Sequence, residues 1–209
     1  MIVSVSSPLR KAWLIARTVA EGVVRELPEA MGASALGVEA RTVLVIHGRN
    51  ERARRALFEF LQALGLRPIG WSAARVLTGK PSPYSGEILD AAFKHAAAVL
   101  VLLTGDEEAR LRDPLRSEQD AAEATSFQAR PNVLYEAGMA MGRAPERTVL
   151  AQLGPVRPFS DLFGRHVVRL SNEVPSRHEL AEQLRLAKLD VNTSGLAWHT
   201  AGDFDGAIV

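Results

Sequence analysis

The residue of this chain best placed to do chemistry is Glu136, in the stretch Arg130-Pro131-Asn132-Val133-Leu134-Tyr135-Glu136-Ala137-Gly138-Met139-Ala140-Met141-Gly142. At about 100° per residue, Val133, Ala137, Ala140 and Met141 share one side of a helix, and Glu136 falls on its flank next to Ala140. A carboxylate on such a rim is half desolvated, which costs free energy unless the group is paired or used. The small residues Ala137, Gly138, Ala140 and Gly142 would let a sheet or a ligand come close to this helix. The plainer alternative is a rim glutamate satisfied by a nearby arginine.

Three short motifs supply further candidates. In His47-Gly48-Arg49-Asn50 the glycine permits close backbone approach. The free N–H groups of a helix start just after it would favour an anion, and Arg49 could pair with a phosphate. The alternative there is a tight turn with a surface arginine. Trp71 either stacks on a flat heterocycle or is a partly buried core aromatic. Asp106, in Thr104-Gly105-Asp106, either holds a sugar hydroxyl or decorates a loop.

The elements that must position these residues alternate between strand and helix. Arg41–Ile46 is a short β-branched run, as expected of a buried parallel strand. Asn50 is a good N-cap for a helix with the apolar stripe Ala53, Leu57, Phe60, Leu61 and Leu64, which Gly65 ends. Residues 66–70 read as a second strand and 71–83 as a polar loop. Ser85 caps a helix carrying Ile88, Leu89, Ala92 and Phe93. Ala97–Leu103 is the most apolar strand and should be central. Residues 104–130 read as a long polar loop with at most a helical turn, a kind of segment that is often functional. The Glu136 helix follows, then strands over Thr148–Leu153 and Val167–Leu170 and an amphipathic helix over Pro175–Leu189. Upstream, residues 9–27 form one more amphipathic pattern, closed by Pro28, and 31–37 read as a linker.

This order predicts an α/β fold: a flavodoxin-like, doubly wound, five-stranded parallel sheet over residues 41–209, with an extra N-terminal helix and linker over 1–40. Ligands in such folds bind outside the carboxyl ends of the strands, where His47-Gly48-Arg49, Trp71 and Thr104-Gly105-Asp106 fall.

Composition narrows the function classes. The 209 residues carry a formal net charge of +1, so no global field recruits nucleic acid or a membrane surface. The cluster Arg52-Ala53-Arg54-Arg55 reads as the solvated face of a helix. No cysteine is present, which removes thiolate catalysis, disulfides and zinc–sulfur sites, and the five histidines show no metal-ligand spacing. No apolar run approaches a membrane span, and Arg17 and Glu21 interrupt what would be a signal-peptide core, so a cytoplasmic location is expected. The phosphate-loop template fails at Ala74 and Pro81, and no G-x-G-x-x-G follows the first strand. ATP hydrolysis and conventional dinucleotide dehydrogenation are therefore not expected.

The segments VLVIHGRNERARRALFEFLQALGLRPI, AAVLVLLTGDEEARL, RPNVLYEAGMAMGR and GLAWHTAGDF together resemble the bacterial TIR-like nucleotide-binding domains that serve as effectors in Pycsar and CBASS antiphage systems. The resemblance covers residues 41–205, with the departure that this chain has Thr104-Gly105-Asp106-Glu107 where the family often has Thr-Pro-Asp-Asp. It implies NAD+ glycohydrolase activity with Glu136 as the catalytic carboxylate and NAD+ as substrate rather than cofactor. His47, Gly48, Arg49, Trp71, Thr104, Asp106 and Asn132 would then line the substrate cleft. It also implies a homo-oligomer on activation and a sensor or regulatory partner, with no cofactor or metal. Two alternatives stay open: a nucleoside deoxyribosyltransferase-like N-glycosidase, which shares a Glu-x-Gly helix motif, and a non-catalytic nucleotide-binding or assembly module.

Overall fold

Alternation within the strands decides how this molecule is layered. In β1 (Glu39–His47), Val43 and Val45 enter one hydrophobic core while Leu44 and Ile46 enter another. In β3 (Ala96–Thr104), Leu100 and Leu102 go to the first and Val99, Val101 and Leu103 to the second. Strands buried on both faces need helices on both sides of the sheet, which is the doubly wound solution. The computed structural model describes residues 39–115, 126–157 and 164–209. The helix expected over 9–27 and the linker over 31–37 lie outside the described residues.

The main sheet has the order β2-β1-β3-β6-β7, all parallel, with β2 at Arg67–Ile69, β6 at Thr148–Leu153 and β7 at Val168–Leu170. Leaving aside a hairpin inserted after β3, this is the flavodoxin-like order 2-1-3-4-5. β3 is central and buried along its whole length, as its composition predicts.

On the first face lie α1 (Glu51–Ala63), α5 (Val174–Leu186) and the C-terminal segment. Asn50 caps α1 by accepting the Ala53 N–H at 3.0 Å, while its amide donates to the Ala207 carbonyl at 2.8 Å. On the second face lie α2 (Trp71–Leu77), α3 (Ser85–His95) and α4 (Pro131–Arg143).

Three local readings are corrected. The expected polar loop 71–83 contains α2, a seven-residue helix that buries little beyond Ala74 and so lacks an apolar stripe to announce it. Tyr84, not Ser85, is the N-cap of α3, and its N–H is satisfied by the Glu87 carboxylate at 3.0 Å. The expected loop 104–130 holds an antiparallel pair, β4 (Glu107–Ala109) and β5 (Ser126–Gln128), whose three-residue strands are too short to show alternation.

Two polar constructions hold the frame. Arg177 of α5 is only 1% exposed and packs on Phe60 and Phe204. Its guanidinium donates to the carbonyls of Gly202 (2.7 Å), Asn172 (3.2 Å) and Ala201 and to Asn172 Oδ1 (3.1 Å), pinning the C-terminal segment to α5. Burial works against its charge, and the Asp205 and Asp203 carboxylates work for it. At the carboxyl end of the sheet, Asp106 accepts from the Thr104 hydroxyl at 2.6 Å and from the Arg49 N–H at 2.5 Å. That clamp ties the exit of β1 to the exit of β3, and it passes so close beneath Gly48 that a Cβ there would lie 1.7 Å from Asp106 Oδ2.

Both constructions have measurable consequences. Arg177→Ala strands several carbonyl acceptors and is expected to cost about 3 kcal/mol or more, read as a lowered urea midpoint at unchanged m. Gly48→Ala and Asp106→Ala should each cost about 1–3 kcal/mol. Because they break the same clamp, the double variant should fall well short of their sum; strict additivity would show the clamp to be absent.

Candidate active site

Burial of α4 decides where Glu136 goes. Val133, Ala137 and Ala140 are buried in the second core, so this helix face lies down on the sheet, and Glu136 is carried half-buried at its flank as the helical spacing predicts. The small residues divide by face. Ala137 and Ala140 allow the close packing on the sheet, whereas Gly138 and Gly142 face open space.

Glu136 lines a cleft of about 360 Å³, within the range of small-molecule sites, together with His47 and the preceding residues of β1, Trp71, Ser85, Arg130 and Asn132. Four elements build it: the exit of β1, the first residues of α2 and α3, and the start of α4. Among the described residues Glu136 has no hydrogen-bond or ion-pair partner, and desolvation holds its carboxyl above the usual glutamate value of 4.5. The rim glutamate paired with an arginine is therefore not what the structure contains. Arg130 is in the same cleft, but its Nε donates to Glu107 of β4 at 3.2 Å.

His47 Nδ1 lies 2.8 Å from the Gly48 carbonyl, a contact that requires a proton on Nδ1. With Nδ1 so engaged, the cleft is met by Nε2, an acceptor in the neutral tautomer. Trp71 is half-buried at the start of α2, with an aromatic surface available to the cleft.

Of the residues expected at the site, His47, Trp71, Asn132 and Glu136 are brought together here. Gly48, Arg49, Thr104 and Asp106 form the clamp between the exits of β1 and β3 and are not among the cleft's lining residues. Asp106 is committed on both oxygens to the clamp. Gly48 admits the Asp106 carboxylate rather than a ligand, and the anion at the Arg49 N–H is that same side chain. The departure at Gly105 also has a local cause. A Cβ there would meet the Pro155 carbonyl oxygen at 2.7 Å and Phe127 Cβ at 2.8 Å, so proline would not fit under the hairpin.

Two lining residues escaped sequence reasoning. Ser85 appeared only as a cap, and Arg130 only as the residue before the helix. The available signal for Arg130 was its charge: a cation is unfavourable where a helix begins.

Comparison with known proteins adds the family. The family model described as the TIR domain of CAP12/Pycsar effector proteins matches residues 42–172, more than half of the chain and including every polar residue of the cleft. An uncharacterized protein of Escherichia coli (strain K12), YuaY, is 27% identical over 153 residues, which cover 71% of this chain and 46% of that protein. The chain thus spans less than half the length of that curated relative. Among the described residues no helix is long and apolar enough to cross a membrane. With its parallel sheet in flavodoxin-like order and a family match running from β1 through β7, the chain belongs to the TIR domains of CAP12/Pycsar effectors.

Proposed function

We propose that this domain is a NAD+ glycohydrolase that splits the nicotinamide–ribose bond and acts as an antiphage effector switched on by assembly. The observation that carries the reading is Glu136, a half-buried carboxylate with no protein partner among the described residues, in a cleft at the carboxyl end of β1.

The chemistry needs little more. The C1′–N1 bond breaks with its electron pair staying on the nicotinamide nitrogen, so a pyridinium leaves as a neutral molecule and no general acid is required. The ribose passes through an oxocarbenium-like state, as in other glycoside hydrolyses. A fixed carboxylate beside C1′ stabilises that growing positive charge more than it stabilises the ground state. Water then adds to C1′ and gives up a proton, completing nicotinamide, ADP-ribose and H+. In this reading the His47 Nε2 acceptor and the Asn132 amide hold ribose hydroxyls, and Trp71 stacks on the nicotinamide ring.

Concentrated protein incubated with NAD+ is expected to release nicotinamide, and Glu136→Gln should lower that rate by roughly 10²- to 10³-fold or more. Retained activity in this variant, or base exchange between deoxynucleosides without NAD+ cleavage, would exclude the reading.

Stability should move the other way. A carboxyl whose pKa is raised by folding stabilises the protein fully below the unfolded value and loses that contribution as pH rises through the folded value. Glu136→Gln should therefore melt at the same temperature as wild type or higher at pH 7, with the gap shrinking toward pH 4. For the same reason the acid limb of kcat/KM should titrate above 4.5, and an acid limb at or below that value would remove Glu136 from the reacting site.

A further inference from the structure

Arg130 stands where helix physics disfavours it. It is the N-cap of α4, makes no side-chain capping bond, and is followed by Pro131 at the first helical position. Serine, threonine, aspartate and asparagine are the residues that satisfy such a position, and a cation meets the positive end of the helix dipole. Its side chain is nonetheless drawn in, only 29% exposed, and lines the cleft that holds Glu136. One bond offsets this placement: Nε donates to Glu107 at 3.2 Å, and Glu107 is itself 40% exposed. A single partly exposed pair is worth little. Among the described residues the two terminal nitrogens of Arg130 have no partner. A local conflict of this kind, with no compensating gain inside the fold, is the mark of a residue kept for a ligand.

We infer that Arg130 is the anion-binding residue of this cleft and takes the 5′-phosphate, as a monophosphate ester or a pyrophosphate, of the nucleotide whose ribose faces Glu136. This inference rests on the reading of Glu136 as the group beside C1′. The cleft carries a carboxylate at one place and a guanidinium at another, with His47, Trp71, Ser85 and Asn132 as its other polar and aromatic lining. A nucleotide matches that pattern, since its 5′-phosphate lies one ribose ring and one methylene from the anomeric carbon. Glu107 fixes the guanidinium through Nε and leaves its Nη donors for phosphate oxygens, a fork geometry that lysine lacks. A bound phosphate would also relieve the unfavourable meeting of Arg130 with the start of α4.

The test is equilibrium binding, which needs no turnover, with NAD+ and ADP-ribose set against their unphosphorylated counterparts, nicotinamide riboside and adenosine. Arg130→Gln is expected to weaken NAD+ and ADP-ribose by about 10- to 100-fold. It should leave nicotinamide riboside and adenosine unchanged and remove most of the salt dependence of NAD+ binding. Arg130→Lys should recover part of the loss. The melting temperature of Arg130→Gln should not fall, because the variant removes a cation from a helix start. Equal weakening of phosphorylated and unphosphorylated compounds, no weakening at all, or a wild type that binds neither phosphorylated compound would each overturn the inference. The two readings fail separately. NAD+ left intact while phosphate discrimination depends on Arg130 sinks the glycohydrolase alone, and hydrolysis of NAD+ without that discrimination sinks the role of Arg130 alone.

Discussion

The burial of α4 on the parallel sheet is the constraint on which the site depends. A strand such as β3, apolar on both faces, has to be covered on both, and α4 covers part of one with Val133, Ala137 and Ala140. Once those three residues are seated, the helical repeat leaves no freedom for Glu136. It is held at the edge of an apolar interface, deep enough to lose hydration and shallow enough to face a cleft. The raised carboxyl pKa follows from packing alone, since desolvation is its one cause. The energy that places Glu136 therefore comes from the core.

Polar groups elsewhere in the frame are spent on geometry rather than chemistry. Asp106, at the tip of the central strand, would be a natural ligand-binding carboxylate if it were free. Instead it is committed to the Thr104 hydroxyl and the Arg49 N–H, which ties the exit of β1, where His47 lines the cleft, to the exit of β3. Arg177 does similar work on the opposite face, gathering the carbonyls of residues 201 and 202 so that Trp198 and Phe204 can pack on Phe60. In both cases a charged group is satisfied partly by backbone and partly by a neighbouring side chain.

How far the sequence could be read follows from the range of the forces involved. The sheet, its central strand, the cap at Asn50 and the rim position of Glu136 are all written in patterns a few residues long, where periodicity and capping chemistry act. Residues 104–130 were opaque because their organisation is non-local: β4 pairs with a strand 17 to 21 residues away in sequence, and each strand is too short for alternation. Asp106 misled for a related reason. Its partner Arg49 lies 57 residues upstream, so nothing near it in sequence announces that its oxygens are already occupied. Gly48 was legible as a point of close approach, but what approaches it was not.

The relation between Arg130 and Glu136 shows how a cleft keeps a carboxylate and a guanidinium of one helix without letting them cancel. A direct pair would lower the Glu136 pKa and satisfy the group, which would then be an ordinary rim ion pair with little left for a ligand. Here the Arg130 Nε donates to Glu107 of β4 instead, and among the described residues Glu136 has no ion-pair partner. Glu136 keeps its desolvation penalty, and in the proposed reaction that penalty would be relieved as positive charge develops beside it, which is the condition for stabilising a transition state rather than a ground state. The proposed reaction requires no second carboxylate. It requires that the core hold α4 in place, while Glu107 of the hairpin engages the Arg130 Nε.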